Sequence, residues 1–230
     1  MGKRERYEPG TFCWVDLVTT DPPSAKTFYG ELFGWEAEDM PAGEAGTYTM
    51  LRLGGDEVCG LYEMESERRE RGIPPHLFSY VSVEDANATA SKARELGSTV
   101  FGEAFDIDGD GRMVVVLDST SAVLGAWQPR AHIGARRVND PGCFTWNELQ
   151  SRDAETAADF YAGLFDREPE PQEEDGRLDY VSIKNAGLAN GGIMPMTEQH
   201  GDSPPYWLVY FTIPSCNGTG ARWRSVGRAA

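Results

Sequence analysis

The phrase FYGELFGW, from Phe28 to Trp35, returns as FYAGLFDR, from Phe160 to Arg167. An internal repeat constrains a fold more than any local pattern, because each copy must build the same supersecondary unit. The register reaches well beyond the phrase. With Trp14 set on Trp146, Gly10 meets Gly142, Phe12 meets Phe144, Leu17 meets Leu149 and Asp21 meets Asp153 without a gap. Tyr48 then falls on Tyr180, Gly60 on Gly192 and Met64 on Met196. With two residues removed from the spacing, PPHLFSYVSV (Pro74 to Val83) meets PPYWLVYFTI (Pro204 to Ile213). The chain is a duplication.

Each copy divides again. GTFCWVDLV is short, β-branched and aromatic, which predicts a strand. A helix is predicted next, with Asp21 as N-cap, prolines in its first turn, Ala25, Phe28, Leu32 and Phe33 at helical spacing, and Gly34 as its stop. WEAED, TYTMLRL and EVCGLYEM read as three strands, so the unit is βαβββ. After the connector ERRERGIPP a second unit follows: LFSYVSV, a helix with Ala86, Ala90, Ala93 and Leu96 on one face, then TVFGEAFD, RMVVVLD and AVLGAWQ. The predicted domains are 1–128, a linker 129–141, and 142–230. The last of these is expected to be incomplete. Cys216, Gly220, Trp223 and Val226 take the register of Ala86, Ala90, Ala93 and Leu96, but nothing corresponds to Phe101 through Gln128, which is three strands. A slipped reading frame after about Asn217, or a partner chain over the gap, are the two explanations the repeat offers.

The bulk numbers exclude several function classes. The formal charge of −16 repels nucleic acid and anionic membranes, and only PRAHIGARR (Pro129 to Arg137) gathers basic residues outside the tail. The opening MGKRERYEPG has no apolar run behind it, so no secretory signal and no membrane span is expected, and a cytoplasmic location follows. Cys13, Cys59, Cys143 and Cys216 form no CxxC pair and are expected as free thiols. DIDGDG, Asp106 to Gly111, begins like a calcium loop, but Leu117 stands at its twelfth position; an acidic turn between strands is predicted.

The paired βαβββ pattern, with FCWVDLVTTDPPSAKTFYGELFGW, VSVEDANATASKARELG, GRMVVVLDSTSAVLGAWQP and their second copies, resembles the vicinal oxygen chelate superfamily. That group includes glyoxalase I, bleomycin-resistance proteins and extradiol dioxygenases. The long form with a Trp in each first strand is similar to actinobacterial glyoxalase-like or hydroxylase-type proteins, some of which accompany anthracycline and other aromatic polyketide pathways. The resemblance implies an α+β fold of tandem βαβββ modules, whose curled mixed sheets carry helices on the outer face and enclose a cup. It also implies a divalent metal held by His and Glu. Carried over, the histidine of the first strand falls on Trp14, that of the second unit on Phe78, and the glutamate of the last strand on Gly125; the repeat adds Trp146. None of these offers a donor atom, so no metal and no cofactor is expected.

Strand alternation names the cup instead. Phe12, Trp14 and Asp16 in the first strand, His76, Phe78 and Tyr80 in the fifth, and Val123, Gly125 and Trp127 in the eighth are predicted to face inward. Phe144, Trp146, Glu148, Tyr206 and Tyr210 are their partial counterparts, while His132 and His200 are expected in solvent. Flat aromatic walls suit a flat ligand. Phe12, Trp14, Phe78, Tyr80, Trp127 and Trp146 are therefore candidate ligand-binding residues, and Asp16, His76 and Glu148 candidate acids or bases. The expected partner is a small aromatic molecule, with a pathway enzyme or a second copy of the chain as further partners. Two alternatives share the fold: a metal-dependent glyoxalase or dioxygenase, and a resistance-type protein that sequesters a drug without catalysis.

Overall fold

A computed structural model describes residues 2–43 and 46–220. The first sheet has eight strands in the order β2-β3-β4-β1-β5-β8-β7-β6. These are β1 (Phe12–Thr19), β2 (Glu36–Pro41), β3 (Thr47–Leu53), β4 (Asp56–Glu63), β5 (His76–Ser82), β6 (Thr99–Ile107), β7 (Gly111–Leu117) and β8 (Val123–Pro129). β1 runs parallel to β4 and antiparallel to β5, and β5 runs parallel to β8, so two βαβββ units join along β1 and β5. The second sheet repeats the first five positions: β10 (Glu168–Glu174), β11 (Arg177–Asn185), β12 (Leu188–Pro195), β9 (Phe144–Ser151) and β13 (Tyr206–Phe211), in that order. The fold is α+β, and neither sheet closes into a barrel.

The helices form where their end signals stand. α1 (Pro22–Phe33) starts on Asp21, whose carboxylate accepts the Ser24 amide hydrogen, and stops at Gly34 in the left-handed conformation. Its copy α4 (Ala154–Phe165) starts on Asp153 in the same way. α3 (Ala86–Glu95) buries the alanine face read from its sequence, Ala86, Ala90 and Ala93. The connector after β4 is not plain loop: Ser66–Glu70 form the short helix α2. Residues 216–220 are helical, while Trp223 and Val226 lie outside the described residues. DIDGDG is the turn between β6 and β7, and the four cysteines are free. No helix among the described residues is long and apolar enough to cross a membrane.

The two copies of the repeat lock reciprocally. Trp35 Nε1 donates to the Gly142 carbonyl at 2.8 Å, and Arg167, its repeat equivalent, donates from Nε and Nη2 to the Gly10 carbonyl at 2.9 and 2.6 Å. Gly10 and Gly142 are themselves equivalents, each with φ of 83°. The Arg167 guanidinium lies between the Phe12 and Phe165 rings, 4.7 and 4.8 Å from their centroids. It is buried, and burial lowers its pKa to about 9. Between the sheets, Ser79 on β5 donates to Asn147 on β9 at 2.7 Å.

Phe12 corrects the alternation rule. The β1–β5 register shifts between Phe12 and Trp14, so Phe12 leaves the face of Trp14 and Asp16. It packs edge-on against Trp207, 5.0 Å away, in the core shared by α3 and α4. The β9–β13 register shifts at the same place, between Tyr210 and Phe211, and Phe144 likewise enters the core built mostly by the first sheet. These two phenyl rings each pack in a core away from the face that carries Trp14 and Asp16.

Candidate functional site

The strand registers assemble the site in rows. Gly60, Asp16 and Phe78 lie side by side on β4, β1 and β5, and Trp14, Tyr80 and Gly125 on β1, β5 and β8. Val115 and Met113 join the same face opposite Gly125 and Trp127. Trp14, Asp16, Phe78, Tyr80 and Trp127 are all buried.

Asp16 is the centre. Its Oδ1 accepts from Trp14 Nε1 at 2.9 Å and from the Tyr48 hydroxyl at 2.8 Å, and its Oδ2 accepts from the Tyr80 hydroxyl at 2.7 Å. Burial pushes its pKa above the ordinary carboxylate value, while the donors Tyr80, Tyr48 and Trp14 pull the other way. Tyr48 and Tyr80 are in turn raised well above the usual phenol value, first by burial and then by the Asp16 charge. Two glycines make the arrangement possible. A Cβ on Gly60 would overlap Asp16 Oδ1 and the Tyr48 hydroxyl, and one on Gly125 would overlap the Tyr80 ring.

The second sheet carries the same clamp. Glu148 Oε2 accepts from the Tyr180 hydroxyl at 3.0 Å, and Oε1 accepts from Tyr210 at 2.9 Å and from Gln150 Nε2 at 2.7 Å. Trp146 Nε1 donates to the Tyr180 hydroxyl at 2.9 Å, and a Cβ on Gly192 would overlap Tyr180. The copies differ in cover. Tyr80, beneath β8, is 6% exposed, whereas Tyr210 on β13 is 42% exposed. Leu208 and Tyr206, on the same face of β13, are exposed as well.

One histidine is not where composition put it. His132 is not in solvent. Its ring stands edge-on to Trp14 at 4.6 Å and near Trp127 at 5.8 Å, its Nδ1 is 3.2 Å from Glu57 Oε2, and its carbonyl accepts from Trp127 Nε1. The segment after β8 thus packs over the Trp14 end of this face. His76 shares the face of Phe78 but lies one row further out, beside Val18, with Nδ1 on the Pro74 carbonyl at 2.9 Å; it makes no hydrogen bond to Asp16. His200 caps a turn with Thr197. Tyr48 and Tyr180 complete the two clamps, and only their coincidence in the repeat signalled them.

The chain can now be compared with known proteins. The model of the Glyoxalase/Bleomycin resistance protein/Dioxygenase superfamily matches residues 11–123. The protein named Putative glyoxylase CFP32 of Mycobacterium tuberculosis (strain CDC 1551 / Oshkosh) is 37% identical over 230 residues, 99% of this chain and 86% of the relative. The chain belongs to this superfamily. Anthracycline biosynthesis protein DauV of Streptomyces sp. (strain C5) is 28% identical over 233 residues, covering 96% and 84% of the two chains. Among solved structures, the Mn(II)-bound glyoxalase from Novosphingobium aromaticivorans has a TM-score of 0.64 at 13% identity, over 96% of this chain and 71% of that one. A variant of 4-hydroxymandelate synthase from Streptomyces coelicolor has a TM-score of 0.63 at 14% identity, over 96% and 76%. Both likenesses are of fold.

The metal the superfamily implies does not fit these residues. Trp14 and Phe78 carry no lone pair for an ion, and a side chain at Gly125 would collide with Tyr80. Among the described residues, no three His, Cys, Asp or Glu side chains gather as ligands would.

Proposed function

We propose that this is a cytoplasmic, metal-independent member of the superfamily that binds or modifies a small planar aromatic molecule, as an accessory or hydroxylase-type protein of anthracycline-like aromatic polyketide biosynthesis. The observation that carries this reading is the Trp14–Asp16–Tyr48–Tyr80 network, built beside Trp14, the position on which the superfamily's first-strand histidine falls. A name shared by a relative, DauV, supports the pathway.

The binding chemistry follows from the walls. Phe78, Tyr80, Val115 and Met113 offer ring faces and apolar edges. Burial of ~200 Å² of apolar ligand surface contributes about 5 kcal/mol before the costs of association, which suits micromolar affinity. Asp16 is the proton-transfer group of the reading. Its raised pKa brings the carboxyl nearer neutrality, and the tyrosine hydroxyls that donate to it keep lone pairs for a ligand hydroxyl. Trp146 and Glu148 are the corresponding ligand-binding and acid–base residues of the second copy.

Titration of tryptophan fluorescence with a hydroxyanthraquinone tests the reading, alongside metal analysis of the purified protein. Micromolar quenching that weakens in Phe78→Ala, from protein holding no stoichiometric metal, is expected. One zinc, iron or nickel per chain revives the metal-enzyme alternative.

A further inference from the structure

The duplication supplies its own control for where polar side chains fall. With Trp14 set on Trp146, Cys13 meets Thr145, Val15 meets Asn147 and Val58 meets Asn190. In the first copy these three positions are apolar and fully buried. In the second copy all three are polar, and all three line one cavity. A core position that turns polar costs stability unless the new group finds a partner. Three such changes around one space point to something that occupies it.

The cavity measures about 70 Å³ and lies where the N-terminal segment and the stretch before β9 meet the second sheet. Arg4, Thr11 and Asn139 line it together with Thr145, Asn147 and Asn190. None of its lining residues belongs to the Asp16 or the Glu148 clamp. Among the described residues that line it there is one guanidinium and no carboxylate, on a chain of net charge −16.

The hydrogen bonds already made decide what these side chains can still offer. Asn147, 1% exposed, accepts on Oδ1 from the Ser79 hydroxyl at 2.7 Å. Asn139 accepts on Oδ1 from the Thr145 hydroxyl at 2.9 Å. Both amide oxygens are engaged, and among the described residues neither Nδ2 makes a hydrogen bond. Thr11 Oγ1 accepts from Asn185 Nδ2 at 3.0 Å, which leaves the threonine proton to donate. Asn190 is spent on the wall itself: Oδ1 accepts from the Phe12 amide at 3.3 Å, and Nδ2 donates to the Gly10 carbonyl at 2.7 Å. The lining therefore offers unused donors from Thr11, Asn139 and Asn147, and a positive charge from the exposed Arg4. Donors around a small space, with no carboxylate among them, suit an anion whose oxygens accept. The size admits a few waters or one small oxyanion and no aromatic ring. One guanidinium matches one negative charge, which favours a carboxylate over a phosphate dianion.

We infer that this cavity is a binding site for a small carboxylate of the size of acetate, held between the two copies of the repeat by Arg4, Thr11, Asn139 and Asn147. It stands apart from the cup and does not rest on the aromatic reading.

Acetate and acetamide are the probes, with chloride at equal ionic strength as the blank. The readouts are the Nδ2 proton resonances of Asn147 and the urea midpoint. Acetate is expected to move those resonances along a saturating curve at millimolar concentration, the range open to so small a ligand, and to raise the midpoint, because a ligand of the folded state stabilises it. Acetamide has the same shape and no charge, and should bind at least about fivefold more weakly. Arg4→Gln should weaken acetate about fivefold. Asn139→Asp, which sets a carboxylate in the exposed part of the wall, should abolish the response. A response to acetate no larger than to chloride, equal binding of acetate and acetamide, or an acetate response unchanged in Arg4→Gln or in Asn139→Asp overturns the inference. The hydroxyanthraquinone titration reads a different face, so the two results stand or fall separately.

Discussion

Asp16→Asn is the perturbation that most directly reads the chemistry of the cup. The native carboxylate is 4% exposed and held by three donors between 2.7 and 2.9 Å. Burial raises its pKa above 3.8 and outweighs the donors. A proton is therefore bound more tightly in the folded protein than in the unfolded one. The stabilising contribution of that proton is fully present below the unfolded value and is lost as pH rises through the folded one. Each unit by which the folded pKa exceeds the unfolded one costs the ionised protein about 1.4 kcal/mol. Asparagine keeps an acceptor for the tyrosines and carries no charge to bury. Urea melts of both proteins at intervals from about pH 4 to 8 give the stability difference at each point. Taking the difference removes the background set by the other carboxylates, which both proteins share. The native protein should lose ground to the variant as pH rises, with a slope of at most about 1.4 kcal/mol per pH unit, then level off. Parallel curves, or a native protein that gains on the variant with rising pH, would refute the claim that burial dominates at Asp16.

Other expectations follow from the same contacts. Gly125→Ala should push Tyr80 off Asp16 and lower stability by about 1–3 kcal/mol, visible as a reduced urea midpoint. Tyr80→Phe, which removes a buried donor to a carboxylate, should cost about 1.5–3 kcal/mol, while Tyr210→Phe at the open copy should cost under about 1 kcal/mol; equal costs would contradict the difference in cover. Arg167→Met should stay within about 1 kcal/mol of the native protein, since the buried cation goes and Asn190 still donates to the Gly10 carbonyl at 2.7 Å, whereas Arg167→Ala should cost about 2–4 kcal/mol through the cavity it leaves. Thermal melts of the two variants side by side check the ordering.

Much of this architecture was legible because duplication fixes register. The capping aspartates, the alanine face of α3 and the inward pair Trp14 and Asp16 follow from local rules that the fold obeys. Phe12 and Phe144 did not follow, because alternation holds only while the ladder is regular, and a bulge before Trp14 reverses it. His132 lies in a linker without periodicity, so nothing local tells that Trp127 fixes its backbone and Glu57 its ring. Tyr48 reaches Asp16 from two strands away, and its role appears only once Gly60 is seen to leave space for it.

The crossed latches at Gly10 and Gly142 have a consequence for how such a chain changes over time. Each half holds the other by a side chain that grips a backbone carbonyl, and a carbonyl is present whatever residue supplies it. The gripping residue was thus free to drift from indole to guanidinium on one side while the grip persisted. The halves can diverge in their clamps and their cover and still remain bound as one body.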